Sequence, residues 1–411
     1  MAAMMAGRRF ALLGVALLGV ACGGGEPPPP DLHGTWRAVL AGSGGDLPFG
    51  LEITAEDGRD VAYLVNGPER VRVTDVTIDG GRMVLGMPGY PHRIEASFEE
   101  GQLRGAVVFV RPGGETGSVR LVAERGGGWR FFPVPDARPV DFSGRWALTF
   151  RDPESGRELA GVAELSQDGH VVNGTVLRES GDDRYLAGEV RGDTLFLSRF
   201  DGGSARLYVL RREADGTVSG RAGPYELSGR RDPDATLRDG ATLTALREDH
   251  EPLDFELPDV DGHPVSIDDE RFRDKVVIVT IGGTWCPNCH DEAVFLRDFL
   301  PPRRERGLEV VQLMFEYEED FDAAAAGVRD FIETFGIDYP VLIAGSYGPG
   351  RVQQVLPQIE TFFAYPTTLV LDREGRIRYT HTGFSGPATG VHYEEFEREF
   401  AALIDGLLAE G

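Results

Sequence analysis

The chain has 411 residues, a formal net charge of −25 and an isoelectric point near 4.7. That length predicts two or three domains. A chain this acidic excludes nucleic acid as a partner, because counterion release at phosphates needs clustered cations.

The N-terminus reads as an export signal. Arg8 and Arg9 precede an apolar run over 10–20, too short to span a bilayer, and small residues lead into Cys22. "LLGVAC" resembles the bacterial lipoprotein signal, whose cysteine becomes the lipidated N-terminus, although Gly19 stands where that box more often has Leu. Residues 1–21 are expected to be signal peptide, Cys22 the lipid attachment, and 22–30, with "GGGEPPPP", an extended Gly/Pro tether. Gly23 after Cys22, where Asp is absent, points by resemblance to lipoprotein sorting signals to the cell envelope, on the periplasmic face of an outer membrane. No later apolar run approaches the about 20 residues of a membrane helix, so the remainder is expected to be soluble on its leash.

"DLHGTW" at 31–36 and "DFSGRW" at 141–146 repeat one D-x-x-G-x-W opening, the mark of a duplicated unit. Each is followed by short alternating segments broken by Gly, Asn and Asp turns, such as "VVNGTVL" and "LAGEVRGDTLFLSRF". This predicts two all-β domains, barrel- or sandwich-like, over 31–135 and 136–232. The Gly-x-Trp start resembles the opening of lipocalin- and avidin-like barrels, where the Trp plugs one barrel end, but no motif names a ligand. Residues 233–250 are expected to be a linker.

From 251 the texture changes to α/β. "KVVIVTI" (275–281) is a continuous apolar run suited to a strand buried on both faces. After "WCPNC", Ala293, Leu296 and Leu300 take a helical period until Pro301-Pro302, which is expected to stop the helix. A strand at "LEVVQLMF" follows, then a helix carrying Val328, Phe331, Ile332 and Phe335, and a strand at "YPVLIA". Strands at "TTLVLD" and "IRYTH" precede a last helix with Phe396, Phe400, Leu403 and Leu407 on one face. The pattern predicts a mixed sheet covered by helices over 251–411.

The chemistry concentrates in "GGTWCPNCH". A C-x-x-C pair can be half a zinc site, but tetrahedral zinc needs a second ligand pair. His290, His381 and His392 are expected to be solvated side chains, each recruitable only singly. A dithiol at a strand-to-helix junction fits better. With Pro287 in the first helical turn, Cys286 lies at the helix N-terminus, where free amides and the dipole favour a thiolate. Cys286 is then the attacking sulfur and Cys289 the resolving one, with Glu292, one turn on, as its proton acceptor or, alternatively, a first-turn acid complementing the dipole.

These residues carry a resemblance. "FELPDVDGHPVSI", "WCPNCHDE" and "YPTT" (365–368) are similar to the TlpA/ResA-like thiol–disulfide oxidoreductases of thioredoxin fold. The resemblance implies a cis-proline at Pro366 stacked against the cysteine pair, substrate contacts at Trp285, Tyr365 and Thr367, and a proton-handling glutamate at Glu292. It also implies an inserted strand and helix between Cys289 and Pro366. Three positions depart from related patterns. Val294 stands where the family often has proline, Thr280 where thioredoxins proper keep a buried acid, and Gly283 where peroxiredoxins need Thr. The expected activity is an exported disulfide reductase with no cofactor beyond its redox-active disulfide and no metal. Its partners would be a disulfide-bearing protein or small-thiol substrate, a membrane or periplasmic thiol that donates electrons, and the membrane through the anchor. The rival expectation is a surface binding module in which the β domains capture a ligand and the thioredoxin fold is scaffold.

Overall fold

The computed structural model describes residues 29–248 and 251–410, apart from Ser43. The signal peptide, Cys22 and most of the tether lie outside the described residues. Among the described residues no helix is long and apolar enough to cross a membrane.

Residues 34–125 form one nine-stranded antiparallel sheet. Its first strand, Gly34–Gly42, pairs with both the second, Gly45–Glu56, and the ninth, Thr116–Arg125, so the sheet curls round on itself. The ring stays open between its two edges, Glu69–Val73 and Val76–Asp79. In the second β domain the ring closes. Gly144–Arg151 pairs with Glu158–Asp168 on one side and Tyr225–Arg231 on the other, and Glu158–Asp168 pairs onward with Val171–Arg178, leaving no free edge in an eight-stranded barrel. The duplicated opening has one physical role in both. Trp36 and Trp146 are buried at the core, and each indole N–H donates to the carbonyl four residues back, Leu32 at 2.9 Å and Phe142 at 2.8 Å. Arginines cover both rings, Arg125 on Trp36 and Arg212 with Arg231 on Trp146.

The two β domains are locked edge to edge by buried polar pairs. Asn66 and Phe200 exchange hydrogen bonds of 2.9 and 3.0 Å. From the connecting segment, Arg130 reaches Val65 and Asn66 on one side and Ser198 on the other. Glu189 accepts the N–H groups of Arg130, Phe131 and Phe132. Each donor and acceptor is thereby satisfied across the junction, which burial makes obligatory.

The C-terminal domain is a five-stranded mixed sheet. The fully buried strand Val276–Gly282 lies at its centre, parallel to Leu308–Glu316 and antiparallel to Thr367–Leu371. Val341–Ser346 and Ile377–Thr382 complete the edges. The helices Pro287–Phe299, Phe321–Phe335 and Val391–Ala409 all supply apolar faces to the core on one face of the sheet, and the core on the other face is closed by Leu253, Phe255, Phe272, Val352 and Leu356. The helix Pro287–Phe299 ends before Pro301-Pro302 as expected, and both prolines then sit in the first turn of a further short helix, Pro301–Arg304, where a missing N–H costs nothing. One expectation is corrected: the stretch after 233 is not a loose linker, since Ala245–Leu246 pairs with Ile359–Thr361, and Thr244 hydrogen-bonds Thr382 at 2.6 Å.

Candidate active site

The central strand delivers the chain to Gly282, and Pro287 opens the helix immediately after Cys286. Cys286 is the cap residue, extended at φ −102°, and its sulfur accepts the amide of Cys289 at 3.3 Å. The two cysteines are joined as a disulfide with Cα atoms 5.2 Å apart. Cys286 keeps 5 % of its surface exposed and Cys289 none, the asymmetry expected of an attacking and a resolving sulfur. Gly283 has no room for the peroxiredoxin threonine, since a Cβ there would lie 2.8 Å from the Phe315 carbonyl.

Glu292 is buried on the same helix, one turn beyond Cys289. Thr280 and Thr368 donate their hydroxyls to its two carboxylate oxygens, the latter at 2.5 Å. Burial raises the carboxyl to about 7 against these two lowering bonds. Thr280 is the position where thioredoxins proper keep an acid, and here its hydroxyl supports Glu292 instead. A void of about 10 Å³, close to one water in size, abuts Glu292, Thr368 and His381.

The Tyr365–Pro366 peptide is cis, as the resemblance implies. Trp285 donates to the Phe315 carbonyl at 2.9 Å and packs against Tyr317, Tyr347 and Tyr365, with ring centroids 4.8 to 5.3 Å away. Tyr317 and Tyr347 are 43 % and 46 % exposed, so the rim of the site is an open aromatic surface. Thr367 is different. Its hydroxyl is buried and bonded to the Ala364 carbonyl and to Thr382, so its side chain presents nothing to a substrate.

Several groups here carry no local sequence signal. Glu316 is buried and accepts both the amide and the hydroxyl of Thr284, two residues before Cys286; burial raises its carboxyl above the ordinary range. His290, expected to be solvated, is enclosed. Its ring packs on Tyr90 of the first β domain at 4.6 Å and on Phe335 at 4.8 Å, it bonds the Thr284 carbonyl at 2.6 Å, and burial drives it down to about 4. His392 pairs with Glu164 of the barrel at 2.9 Å, and His381 stacks on Tyr379. Among the described residues the one group with metal-ligand proximity is Asp259, Asp261 and His263, which contains neither cysteine.

The helix start is also gripped by the barrel. Arg184, partly buried in the turn after Val171–Arg178, reaches Asp291 at 3.2 Å, Glu69 of the first sheet at 3.0 Å and Asp201 at 3.9 Å. Burial opposes its charge, but the three carboxylates outweigh that and hold it charged. Asp291 is raised to about 7 by burial, net of the pull from Arg184. Asn288, between the two cysteines, donates to the Asp182 carbonyl at 3.1 Å, and the Asp182 carboxylate accepts the Gly386 amide at 2.6 Å. One turn of the barrel thus touches both the cysteine motif and the loop before the last helix.

A family model described as Redoxin matches residues 247–393. This segment is a redoxin domain. The thiol-disulfide oxidoreductase ResA of Bacillus thuringiensis (strain Al Hakam) is 26% identical over 129 residues, covering 30% of this chain and 62% of that protein. The ResA of Geobacillus kaustophilus is 28% identical over 130 residues, covering 32% and 66%, and the thiol:disulfide interchange protein DsbE of Vibrio cholerae 25% over 157 residues, covering 38% and 73%. The chain therefore spans less than two thirds of the length of the first of these relatives. Among solved structures, a thiol-disulfide isomerase from Corynebacterium glutamicum matches with a TM-score of 0.32 and 21% identity, over 40% of this chain and all of that one.

Proposed function

We propose that the protein is an exported, lipid-anchored thiol–disulfide oxidoreductase that reduces disulfides through the Cys286–Cys289 pair. The observation that carries this reading is a disulfide at a helix N-terminus with a buried carboxyl of pKa about 7 one helical turn beyond Cys289. Likeness to proteins named thiol-disulfide oxidoreductases supports it.

In the reduced enzyme the Cys286 thiolate, favoured by the helix N-terminus, attacks one sulfur of a substrate disulfide. A mixed disulfide forms and one substrate thiolate leaves. Cys289 then loses its proton to Glu292 and attacks Cys286, which releases the second substrate thiolate and leaves the enzyme oxidised, the state of this structure. Two electrons from a membrane or periplasmic thiol donor restore the dithiol. Trp285 and the Tyr365 backbone flank the reacting sulfurs and hold the substrate strand; Pro366 shapes that surface. Cys22 anchors the chain at the periplasmic face of the outer membrane.

The test is the reduction potential of the pair, measured by free-thiol quantification in glutathione and dithiothreitol buffers. A value near about −270 mV, that of thioredoxin, marks a reductase, and one near about −120 mV an oxidant. A reduced protein that never closes the disulfide would overturn the enzyme reading in favour of a binding module built on a redox-silent scaffold.

A further inference from the structure

Two sides of the cysteine pair differ in access. On the Asn288 side the barrel turn is packed so closely that a Cβ on Gly181 would lie 2.6 Å from the Asn288 side chain and 2.7 Å from the Phe384 carbonyl. That side is closed. On the Trp285 side a cleft of about 1280 Å³ opens between the first β domain and the redoxin domain. One end is formed by Thr284 and Trp285, directly before Cys286, and the cleft runs from there along the helix Phe321–Phe335.

The cleft exceeds the roughly 300 to 1,000 Å³ usual for small-molecule pockets, and it lies at a domain junction. Its β wall carries an apolar strip of Pro88, Pro91 and Phe109, and is fixed in place by Tyr90 packed on His290. Its charge is one-sided. Asp75 from the sheet and Asp330 from the helix face the same space, joined by Asp320 and Glu318 at the rim. Burial, with Glu333 and Asp75 beside it, raises the Asp330 carboxyl. Of the arginines on the wall, Arg93 is held by Glu95 at 2.5 Å, which leaves Arg111 against these four acids and the buried Glu316. Glu318 also accepts the Gly113 amide at 3.0 Å, tying the two domains together across the rim.

We infer that this cleft binds the polypeptide flanking a substrate's disulfide, and that it selects segments carrying lysine or arginine among apolar residues. The inference deepens the oxidoreductase reading and depends on it. A polypeptide substrate would lay its flanking chain along the apolar wall, with its cations toward Asp75 and Asp330, while its cystine reaches Cys286 past Trp285. The β domains then act as the specificity element of the reductase.

The experiment uses the full chain, two cystine peptides of identical apolar sequence with lysine or glutamate flanks, and hydroxyethyl disulfide as a small uncharged control. The lysine peptide should be reduced with about tenfold higher kcat/KM at low salt, and the ratio should fall toward one as salt screens the exposed acids. In Asp75→Asn/Asp330→Asn the ratio should drop about threefold, measured within one protein so that changes in intrinsic exchange cancel. Equal kcat/KM for the two peptides, with hydroxyethyl disulfide still reduced, overturns the cleft as the docking site and leaves the oxidoreductase standing. A lysine preference that survives intact in the double variant overturns it as well. No exchange with any of the three disulfides refutes the activity itself.

Discussion

Glu292 gives the sharpest quantitative prediction. Its carboxyl is raised from 4.5 to about 7 by burial, so the folded protein holds a proton there that the unfolded chain releases from about pH 4.5 upward. The sign follows from linkage. A raised acid contributes stability that is fully present below pH 4.5 and is lost as pH rises through about 7. At about 1.4 kcal/mol for each tenfold change in proton affinity, the full loss is about 3 kcal/mol. Glu292→Gln keeps the shape and can still bond Thr280 and Thr368, yet has no proton to lose. It should be nearly neutral at pH 5 and stabilise the redoxin domain by about 2 to 3 kcal/mol at pH 8. Native-state hydrogen exchange of the amides in Val276–Gly282 reads this domain alone and avoids treating a multidomain chain as two-state. The same substitution should slow resolution of the mixed disulfide and flatten its pH profile near 7. A stability difference between the two proteins that is the same at pH 5 and pH 8 would refute the buried-acid argument, whatever the kinetics showed.

Three further outcomes are expected. Cys286→Ser should abolish disulfide exchange, whereas Cys289→Ser should accumulate mixed disulfides visible by mass spectrometry; full activity in both would remove the mechanism. Arg184→Met leaves Asp291 and Glu69 facing each other without their shared cation, and breaking a buried pair from one side costs about 3 to 5 kcal/mol. The loss should be smaller at pH 5, where Asp291 is protonated, and a melt unchanged at pH 8 would deny the node any structural role. Gly181→Ala places a Cβ at φ +134° against Asn288 and the Phe384 carbonyl, so the barrel turn should detach from the redoxin domain at a cost of about 1 to 3 kcal/mol. Faster proteolysis within 179–186 would register the detachment, and an unchanged digestion pattern would contradict it.

What the sequence makes legible is local. The buried strand before the cysteines, the proline that starts the helix and the glutamate one turn later all lie in one short stretch, where apolar runs and helix-start chemistry can be read directly. The paired Gly-x-Trp openings were likewise visible, because a duplicated motif needs no tertiary information. His290 and Asp291 were not. Both belong on a solvated face if the helix covers only its own sheet, and their burial comes from Tyr90 and Arg184, which the chain brings from 200 and 107 positions away. The available hint was polar density: "HDE" directly after the second cysteine puts three ionisable groups on consecutive positions, more than one exposed face of a helix start accommodates.

This places the environment of the cysteine pair partly outside the redoxin domain. Tyr90 walls His290, Arg184 holds Asp291, and the Asp182 carbonyl fixes Asn288 between the two sulfurs. Each is a contact to the start of the helix Pro287–Phe299, whose free N-terminal amides favour a thiolate at Cys286. Thiolate stability sets the redox poise steeply, since about 30 mV corresponds to about 1.4 kcal/mol. On the proposed mechanism the β domains bear on the potential, and on the proposed docking they bear on substrate choice as well. A segment beginning at 251 would expose His290, leave Asp291 without its cation and free Asn288, and its potential should differ from that of the full chain. The difference between the two measurements reports what the two β domains together contribute to the chemistry.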